Sequence, residues 1–298
     1  MKTLDPETRR AARGQARAAR QARQRRRALM KHVLLILGSI GMLYPLLWMV
    51  SSSFKPENLI FTELGLWPSE FVFSNYLQGW YALRTSFTLF FWNSFVIAAL
   101  SVIGNVVACS LTAYAFARLE FRLKWLWFAL MLGTLMLPYH VTLVPQYVLF
   151  LSIGWVDTIL PLVVPKFLAV DAFFIFLMVQ FFRGLPRELD EAARMDGCGP
   201  WRIYWRIIMP LSTPVLATAA IFSFIWTWDD FLGPLIYLND LQSYTVPLAL
   251  RAFVDSTGLS AWGQLFAMST LSLVPVFLFF LFFQRLIIHG VAMSAMKR

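Results

Sequence analysis

Long apolar runs alternate with short charged connections along the chain. A helix needs about 20 apolar residues to cross the hydrocarbon core of a bilayer, and six runs reach that length if extensions beyond the membrane are included. The pattern therefore predicts an all-α membrane protein with six transmembrane helices. We place them near residues 33–53, 89–115, 125–150, 165–182, 212–236 and 262–284.

Composition supports a membrane protein, because 59% of the 298 residues are hydrophobic and only 14% are charged. Such a surface is difficult to keep soluble. The first apolar run follows a long basic stretch without a convincing cleavage site, so we interpret it as a retained span. The only two cysteines, Cys109 and Cys198, are too few for a disulfide framework, and we expect free thiols.

Basic residues are distributed unevenly between the connections. Residues 1–31 hold eleven of the 26 Lys and Arg, and alternate connections on the same predicted side raise the total to twenty-two, against three on the other side. Under the positive-inside rule both termini are cytoplasmic. Residues 1–30 are then a basic cytoplasmic tail and residues 31–298 a six-span domain. The same tail could instead bind nucleic acid or anionic lipid.

Several kinds of chemistry are missing from the sequence. It has no G-x-x-x-x-G-K-[ST] stretch to hold a nucleotide phosphate and no G-x-S-x-G nucleophile motif. His32, His140 and His289 lack acidic or thiol neighbours at metal-ligand spacing. We therefore expect no catalytic residue, no metal and no cofactor bound by this chain.

Charges within the predicted spans need an explanation, because each costs about 2.5 to 3.5 kcal/mol in hydrocarbon even on the lenient insertion scale. Lys166 and Asp171 are near the outer end of the fourth span, where their side chains can reach the headgroups. Asp229 and Asp230 lie in the fifth span. These four residues are therefore either interfacial or functional.

The stretch WTWDDFLGPLIYL (226–238) places two acids among aromatic residues. Carboxylates accept hydrogen bonds from hydroxyl groups and rings cover apolar sugar faces, so this composition suits a polar path for a hydroxyl-rich solute. An aromatic belt at the outer interface explains it equally well. The candidate residues of the substrate path are Trp226, Trp228, Asp229, Asp230 and Phe231.

Residues 183–210, which we call the charged segment, separate the fourth and fifth apolar runs. Pro186 can start a helix whose first turns carry acidic residues, with Asp190 and Arg194 four apart and able to pair. Gly197 and Gly199 then predict a sharp turn.

A second short helix is predicted from Pro200 until Pro210 ends it. Its apolar stripe would consist of Trp201, Tyr204, Trp205 and Ile208. Such a helix could lie on lipid headgroups. The small Ala192 and Ala193 in the first helix instead favour the close approach of another protein surface.

The charged segment resembles the cytoplasmic signature of the membrane subunits of binding-protein-dependent ABC importers. That signature is E-A-A, three residues, G, nine residues and I-x-L-P, and the chain has Glu191-Ala192-Ala193, Gly197, Ile207 and Met209-Pro210, with Met in place of the usual Leu. The stretches LPRELDEAARMDG, W-x-D-F-x-x-P-L and YTVPLAL resemble the maltose-type carbohydrate branch. The resemblance covers most of the chain except residues 1–30.

The resemblance implies a type I ABC importer permease fold in the bacterial inner membrane, with a coupling helix between spans four and five. It implies ATPase-coupling roles for Glu191, Ala192, Ala193, Asp196, Gly197, Ile207 and Pro210. The implied partners are a second permease, two copies of an ATPase subunit that hydrolyses ATP with Mg²⁺, an extracytoplasmic sugar-binding protein and membrane lipid, but no nucleic acid. Asp229 departs from the Asn common in this branch.

Two other functions compete with an importer subunit. A secondary transporter could use Asp229 or Asp171 as a proton or cation site. Alternatively, the Arg-rich tail could make the chain a membrane-tethered binder of nucleic acid or lipid.

Overall fold

The structure is a computed structural model that describes residues 6–257 and 261–295, with side chains described for residues 24–254 and 261–285. All regular elements in these residues are helical. The chain forms two compact units that divide between Val72 and Phe73. The first five residues of the predicted tail, the side chain of His289 and the last three residues lie outside the described part.

The first unit contains the long helix α1 (Pro6–Ser52) and a 3₁₀ turn (Glu57–Leu59). Helix α1 passes from the basic tail into the first apolar run without a break at residue 30. Lys55 is fully buried after the helix, and its Nζ donates to the carbonyls of Glu63 at 2.6 Å and Gly65 at 2.7 Å. These bonds fold the connection back beside Lys55.

The second unit contains the remaining described helices. In chain order they are α2 (Ser74–Trp80), α3 (Phe87–Arg118), α4 (Lys124–Thr134), α5 (Tyr139–Ser152), α6 (Leu160–Val163), α7 (Ala172–Gly184), α8 (Glu188–Met195), α9 (Pro200–Ile203), α10 (Met209–Leu211), α11 (Thr213–Trp228), α12 (Leu232–Tyr237), α13 (Val246–Thr257) and α14 (Trp262–Ala295). Two 3₁₀ segments (Val164–Leu168 and Leu241–Ser243) and a π segment (Tyr204–Ile208) join some of them. Helix α3 is central and packs most extensively against α7 and α11.

Small side chains allow the neighbours of α3 to approach closely. Ala98, Ser101 and Gly104 are buried along the helix. This is the usual basis of helix packing in lipid, where burying apolar surface gives little driving force. Asn105 adds a buried hydrogen bond from its Nδ2 to Ser223 Oγ of α11 at 2.9 Å.

Four described helical stretches are individually long and apolar enough to cross a membrane, namely Gln24–Ser52, Phe87–Arg118, Leu160–Gly184 and Trp262–Arg285. Two bent pairs qualify only when each is counted as one span. Helices α4 and α5 meet at 98°, and the stretch Pro200–Leu211 meets α11 at 77°. The described part therefore supports between four and six spans, and the predicted span over 125–150 is one of the two bent pairs.

The fifth predicted span, 212–236, also differs from the structure. Helix α11 ends at Trp228, and α12 begins only at Leu232. Asp230 Oδ1 accepts the backbone N–H of Gly233 at 3.1 Å, in the first turn of α12. In the fourth predicted span, the residues after Lys166 break the helix, because Ala169 has a φ of 53°.

We expect Gly104→Ala to destabilise the protein. A methyl group there would lie 2.8 Å from the Phe167 ring and 3.0 Å from the backbone carbon of Lys166. Overpacking of this kind costs about 1–3 kcal/mol, and each kcal/mol shifts a thermal midpoint by about 2–4 °C at this size. The measurement is thermal unfolding of the detergent-solubilised protein.

Gly133→Ala is the matched control, because the space around Gly133 is open. Alanine is the better helix former by about 1 kcal/mol, so this change should leave or raise the midpoint. Equal midpoints for the two variants would show that contact at Gly104 does not limit the packing of α3.

Candidate functional site

The first helix of the charged segment is α8, and its first turn carries Glu188, Asp190 and Glu191 as predicted. Negative charge there complements the exposed N–H groups of the helix start. One face of α8 is buried, through Asp190 and Ala193. The opposite face is exposed and includes Glu191 and Ala192. Only Ala192 of the predicted alanine pair is therefore open to another surface.

Gly197 ends α8 in a left-handed conformation with a φ of 77°. The N–H of Gly197 donates to the Arg194 carbonyl at 3.0 Å, and the N–H of Cys198 donates to the Ala193 carbonyl at 2.9 Å. This pair of bonds is the Schellman arrangement that closes many helices. Gly199 has a φ of −77°, which other residues adopt readily, so position 199 does not require glycine. The predicted turn is confirmed, and it depends on Gly197.

Asp190 pairs with Arg118 and not with Arg194, so that prediction is wrong. Arg118 Nη1 lies 3.2 Å from Asp190 Oδ2, and Nη2 donates to the carbonyls of Phe182 and Leu185, both at 2.8 Å. Asp190 is buried, whereas Arg194 is exposed. A buried carboxylate needs a charged partner, while a surface pair four residues apart contributes only tenths of a kcal/mol.

The second half of the charged segment is less regular than predicted. Tyr204 and Ile208 are fully buried, but Trp201 and Trp205 are 67% and 52% exposed. Ile203 is buried in their place, so the buried face of this helix is rotated away from the predicted stripe.

Pro210 does not end the second helix, which continues to Leu211. In a regular α-helix the proline ring would clash with the carbonyl four residues earlier, that of Arg206. Arg206 lies in the widened π segment. The π segment thus accommodates Pro210 inside the helix.

Helix α3 contacts both halves of the charged segment through one row of polar side chains. Ser110 Oγ and the Tyr204 hydroxyl are 2.7 Å apart, and the Tyr114 hydroxyl donates to the Pro200 carbonyl at 3.0 Å. Ser110, Tyr114 and Arg118 are four residues apart and so share a face. We call them the polar ladder. Sequence reasoning missed it, although polar residues at this spacing in an apolar run were the available signal.

A small cavity of about 80 Å³ lies in the second unit beside the break after α11. Lys166, Trp226, Thr227 and Asp230 contribute to its lining. Lys166 Nζ also lies 2.9 Å from Asp171 Oδ2, with both side chains about a quarter exposed. Lys166 and Asp171 therefore form an ion pair with each other instead of reaching separately for the headgroups.

The structure brings together only part of the predicted substrate path. Trp226 and Asp230 line the cavity. Trp228 is buried in the core and donates its indole N–H to the Ser272 carbonyl at 3.0 Å. Asp229 is exposed, and the Phe231 ring centre lies 5.8 Å from the guanidinium carbon of Arg251. The helix break separates these sequence neighbours, and their role in solute passage stays a prediction.

Asp157 holds together two connections of the second unit. Its N–H donates to the Tyr237 carbonyl at 2.7 Å, and its Oδ1 accepts the N–H groups of Asn239 at 2.9 Å and Asp240 at 3.0 Å. These two backbone hydrogen bonds lower the pKa of the Asp157 carboxyl. The ionised form is therefore the one that holds the connections together.

No group of three or more His, Cys, Asp or Glu side chains that could hold a metal occurs among the described residues.

Comparison with known proteins identifies the class. Residues 104–292 match the family described as "binding-protein-dependent transport system inner membrane component". The probable ABC transporter permease protein YurM of Bacillus subtilis is 34% identical over 265 residues, which cover 89% of this chain and 87% of that protein. The diacetylchitobiose uptake system permease protein NgcG of Streptomyces coelicolor is 31% identical over 283 residues, which cover 95% and 93%.

Two further matches agree with this class. The sn-glycerol-3-phosphate transport system permease protein UgpE of Brucella abortus is 31% identical over 269 residues, covering 88% of this chain and 95% of that protein. A crystal structure of a bacterial ABC transporter involved in the import of the acidic polysaccharide alginate has a similar fold. The comparison of the two structures gives a TM-score of 0.74 at 19% sequence identity. It covers 96% of this chain and 99% of the chain in that structure.

The helical fold and these relatives define a permease subunit of an ABC importer. The chain belongs to the family of inner-membrane components of binding-protein-dependent transport systems.

Gly197→Ala should destabilise the turn of the charged segment. A non-glycine residue in the left-handed region costs about 1–2 kcal/mol. The neighbouring Gly199→Ala is the matched control, because its φ suits alanine and the space around it is open. Hydrogen exchange of a peptide over residues 193–199 should speed up in Gly197→Ala only. Equal exchange in both variants would contradict the requirement for a left-handed turn.

Asp157→Asn should lower the thermal midpoint at pH 7 but not in acid. The folded pKa lies below the usual value of about 3.9. The stabilisation is therefore fully present above that value and is lost as the pH falls through the folded pKa. Thermal unfolding of both proteins from pH 7 downwards measures the difference, with the exposed Glu70→Gln as control. A difference that does not change with pH would contradict the assignment.

Proposed function

We propose that this chain is the membrane-spanning subunit of an ATP-driven sugar importer, that it forms half of the translocation path, and that ATPase movement reaches it through residues 183–210. The observation that carries the proposal is the two-sided helix α8. One face is tied to the chain through Asp190, and the other exposes Glu191 and Ala192. Because the sequence has no G-x-x-x-x-G-K-[ST] motif to hold a nucleotide phosphate, the component that hydrolyses ATP has to be a separate subunit.

In this proposal the ATPase subunit binds to the exposed face of α8. Glu191 makes a charge contact with a basic group, and Ala192 lets the partner approach the backbone. Met195 is 89% exposed on the same side and supplies apolar contact. The other coupling residues of the proposal are Ala193, Asp196, Gly197, Ile207 and Pro210. Asp196 is exposed at the end of α8 and Ile207 is partly buried, while Gly197 supplies the turn and Ala193 packs inward.

The complete assembly contains a second permease, two copies of the ATPase, and an extracytoplasmic sugar-binding protein, all with membrane lipid around them. ATP and Mg²⁺ are handled by the ATPase and no cofactor by this chain. Both termini are cytoplasmic, which the distribution of Lys and Arg supports. The dependence of the family on a binding protein supports that partner. Nucleic acid has no part in this function.

The solute is proposed to be a neutral sugar and not a phosphorylated one. Lys166 is already paired with Asp171, so the carboxylate of Asp230 gives its surroundings a negative character. A phosphate would be repelled there, whereas sugar hydroxyls can donate to the carboxylate and stack on Trp226. The NgcG relative, a diacetylchitobiose permease, and the glycerol-phosphate relative are equally similar to this chain at 31% identity, so the choice rests on the cavity and not on the relatives.

The test is uptake by proteoliposomes that contain the complete assembly. We expect ATP-dependent uptake of a neutral sugar from a panel that includes diacetylchitobiose, and no uptake of sn-glycerol 3-phosphate. Glu191→Lys should reduce uptake about tenfold or more by placing like charges together. Glu70→Lys is the control, because Glu70 is an exposed carboxylate outside the charged segment.

Uptake of glycerol phosphate alone would contradict the proposed solute class. Uptake by this chain without an ATPase, driven by an ion gradient, would contradict the importer and support a secondary transporter.

A further inference from the structure

We propose that the polar ladder carries movement of the charged segment into α3, and that Arg118 is the positioning residue on which this transmission depends. The inference rests on the proposed function, because it needs an ATPase that displaces α8. It adds the contacts through which a displacement of α8 is transmitted to α3.

Each of the three residues of the polar ladder, which we call its rungs, contacts a different part of the charged segment. Arg118 binds Asp190 in α8, Tyr114 binds the Pro200 carbonyl at the start of α9, and Ser110 binds Tyr204 in the π segment. Because α3 is one unbroken helix of 32 residues, the three rungs are fixed relative to one another. Moving the charged segment therefore means either moving α3 or breaking buried polar contacts.

Arg118 differs from the other two rungs because it joins three helices. Its side chain is 2% exposed, and it binds the last carbonyls of α7 in addition to Asp190. The planar fork of arginine makes these contacts at once, which the point charge of lysine cannot do. Helices α3, α7 and α8 are therefore coupled at one side chain.

Two atoms of the Arg118–Asp190 ion pair could still form hydrogen bonds. Arg118 Nε and Asp190 Oδ1 are buried and have no hydrogen-bond partner among the described residues. The pair can therefore adopt a second arrangement in which those atoms meet new partners as α8 shifts. A contact with two discrete arrangements is what physical coupling between distant sites requires.

Asp190→Asn separates transmission from folding. Asparagine keeps the volume of the side chain and can still accept a hydrogen bond from Arg118, but the charge is lost. Arg118→Lys is the complementary variant, since it keeps the charge and loses the fork. The control is Glu120→Gln, which removes a different ion pair near the same end of α3, Lys124–Glu120 at 3.1 Å.

The experiment uses the complete transporter in nanodiscs, with MgATP and vanadate as the probe, so that no transported solute is needed. Hydrogen exchange is followed in peptides over 188–197 and 108–119. In the wild type, nucleotide trapping should change both. In Asp190→Asn and Arg118→Lys, the response of 188–197 should persist, while that of 108–119 should fall about fivefold or more.

Glu120→Gln should behave as the wild type in both peptides. An unchanged response of 108–119 in Asp190→Asn and Arg118→Lys would overturn the inference and leave the proposed function standing. A loss of both responses together would also overturn it, because a structural role alone predicts that result. A wild-type complex that fails to respond to nucleotide would overturn the proposed function and the inference with it.

Discussion

The charged segment depends on one buried guanidinium. Arg118 sits at the end of α3, where it donates to the carbonyls of Phe182 and Leu185 around the end of α7 and neutralises a carboxylate of α8. Burying the two charges is costly, and the pair is weak evidence of net stability when compared with an apolar alternative. Removing only one partner, however, costs about 3–5 kcal/mol. The contact therefore specifies where the segment sits more than it strengthens the fold.

The rest of the second unit supports this contact by keeping α3 close to its neighbours. Small residues such as Gly104 let backbones approach, and hydrogen bonds such as Asn105 to Ser223 link the helices. In lipid these polar bonds matter, because burial of apolar surface gives little preference between protein and bilayer. The same helix thus carries both the packing of the spans and the attachment of the charged segment.

Local sequence pattern predicted what depends on local physics. Apolar length identified candidate membrane-crossing runs, of which the described part supports four to six, and the glycine after α8 identified a turn that does require a left-handed residue. The signature of the charged segment then identified the class of protein, which the family match confirms.

What depends on long-range contacts was not visible in that pattern. Asp190 has Arg194 four residues away, yet its partner is 72 positions earlier in the chain, where only the fold brings Arg118 near. The break after Trp228 likewise divides a candidate site that looks continuous in sequence. The buried face of the second half of the charged segment contains Ile203 in place of Trp201 and Trp205, and helical periodicity alone cannot tell which side of the helix packs against the protein.

The pairing of Lys166 with Asp171 has an electrical consequence. A single charge that crosses the membrane field exchanges about 2.3 kcal/mol with each 100 mV of potential. Two opposite charges held 2.9 Å apart move as a dipole, and the work done on one cancels most of the work done on the other. Displacement of the Lys166–Asp171 pair is therefore nearly independent of membrane voltage, and the pair itself exchanges little electrical work with the membrane when it moves.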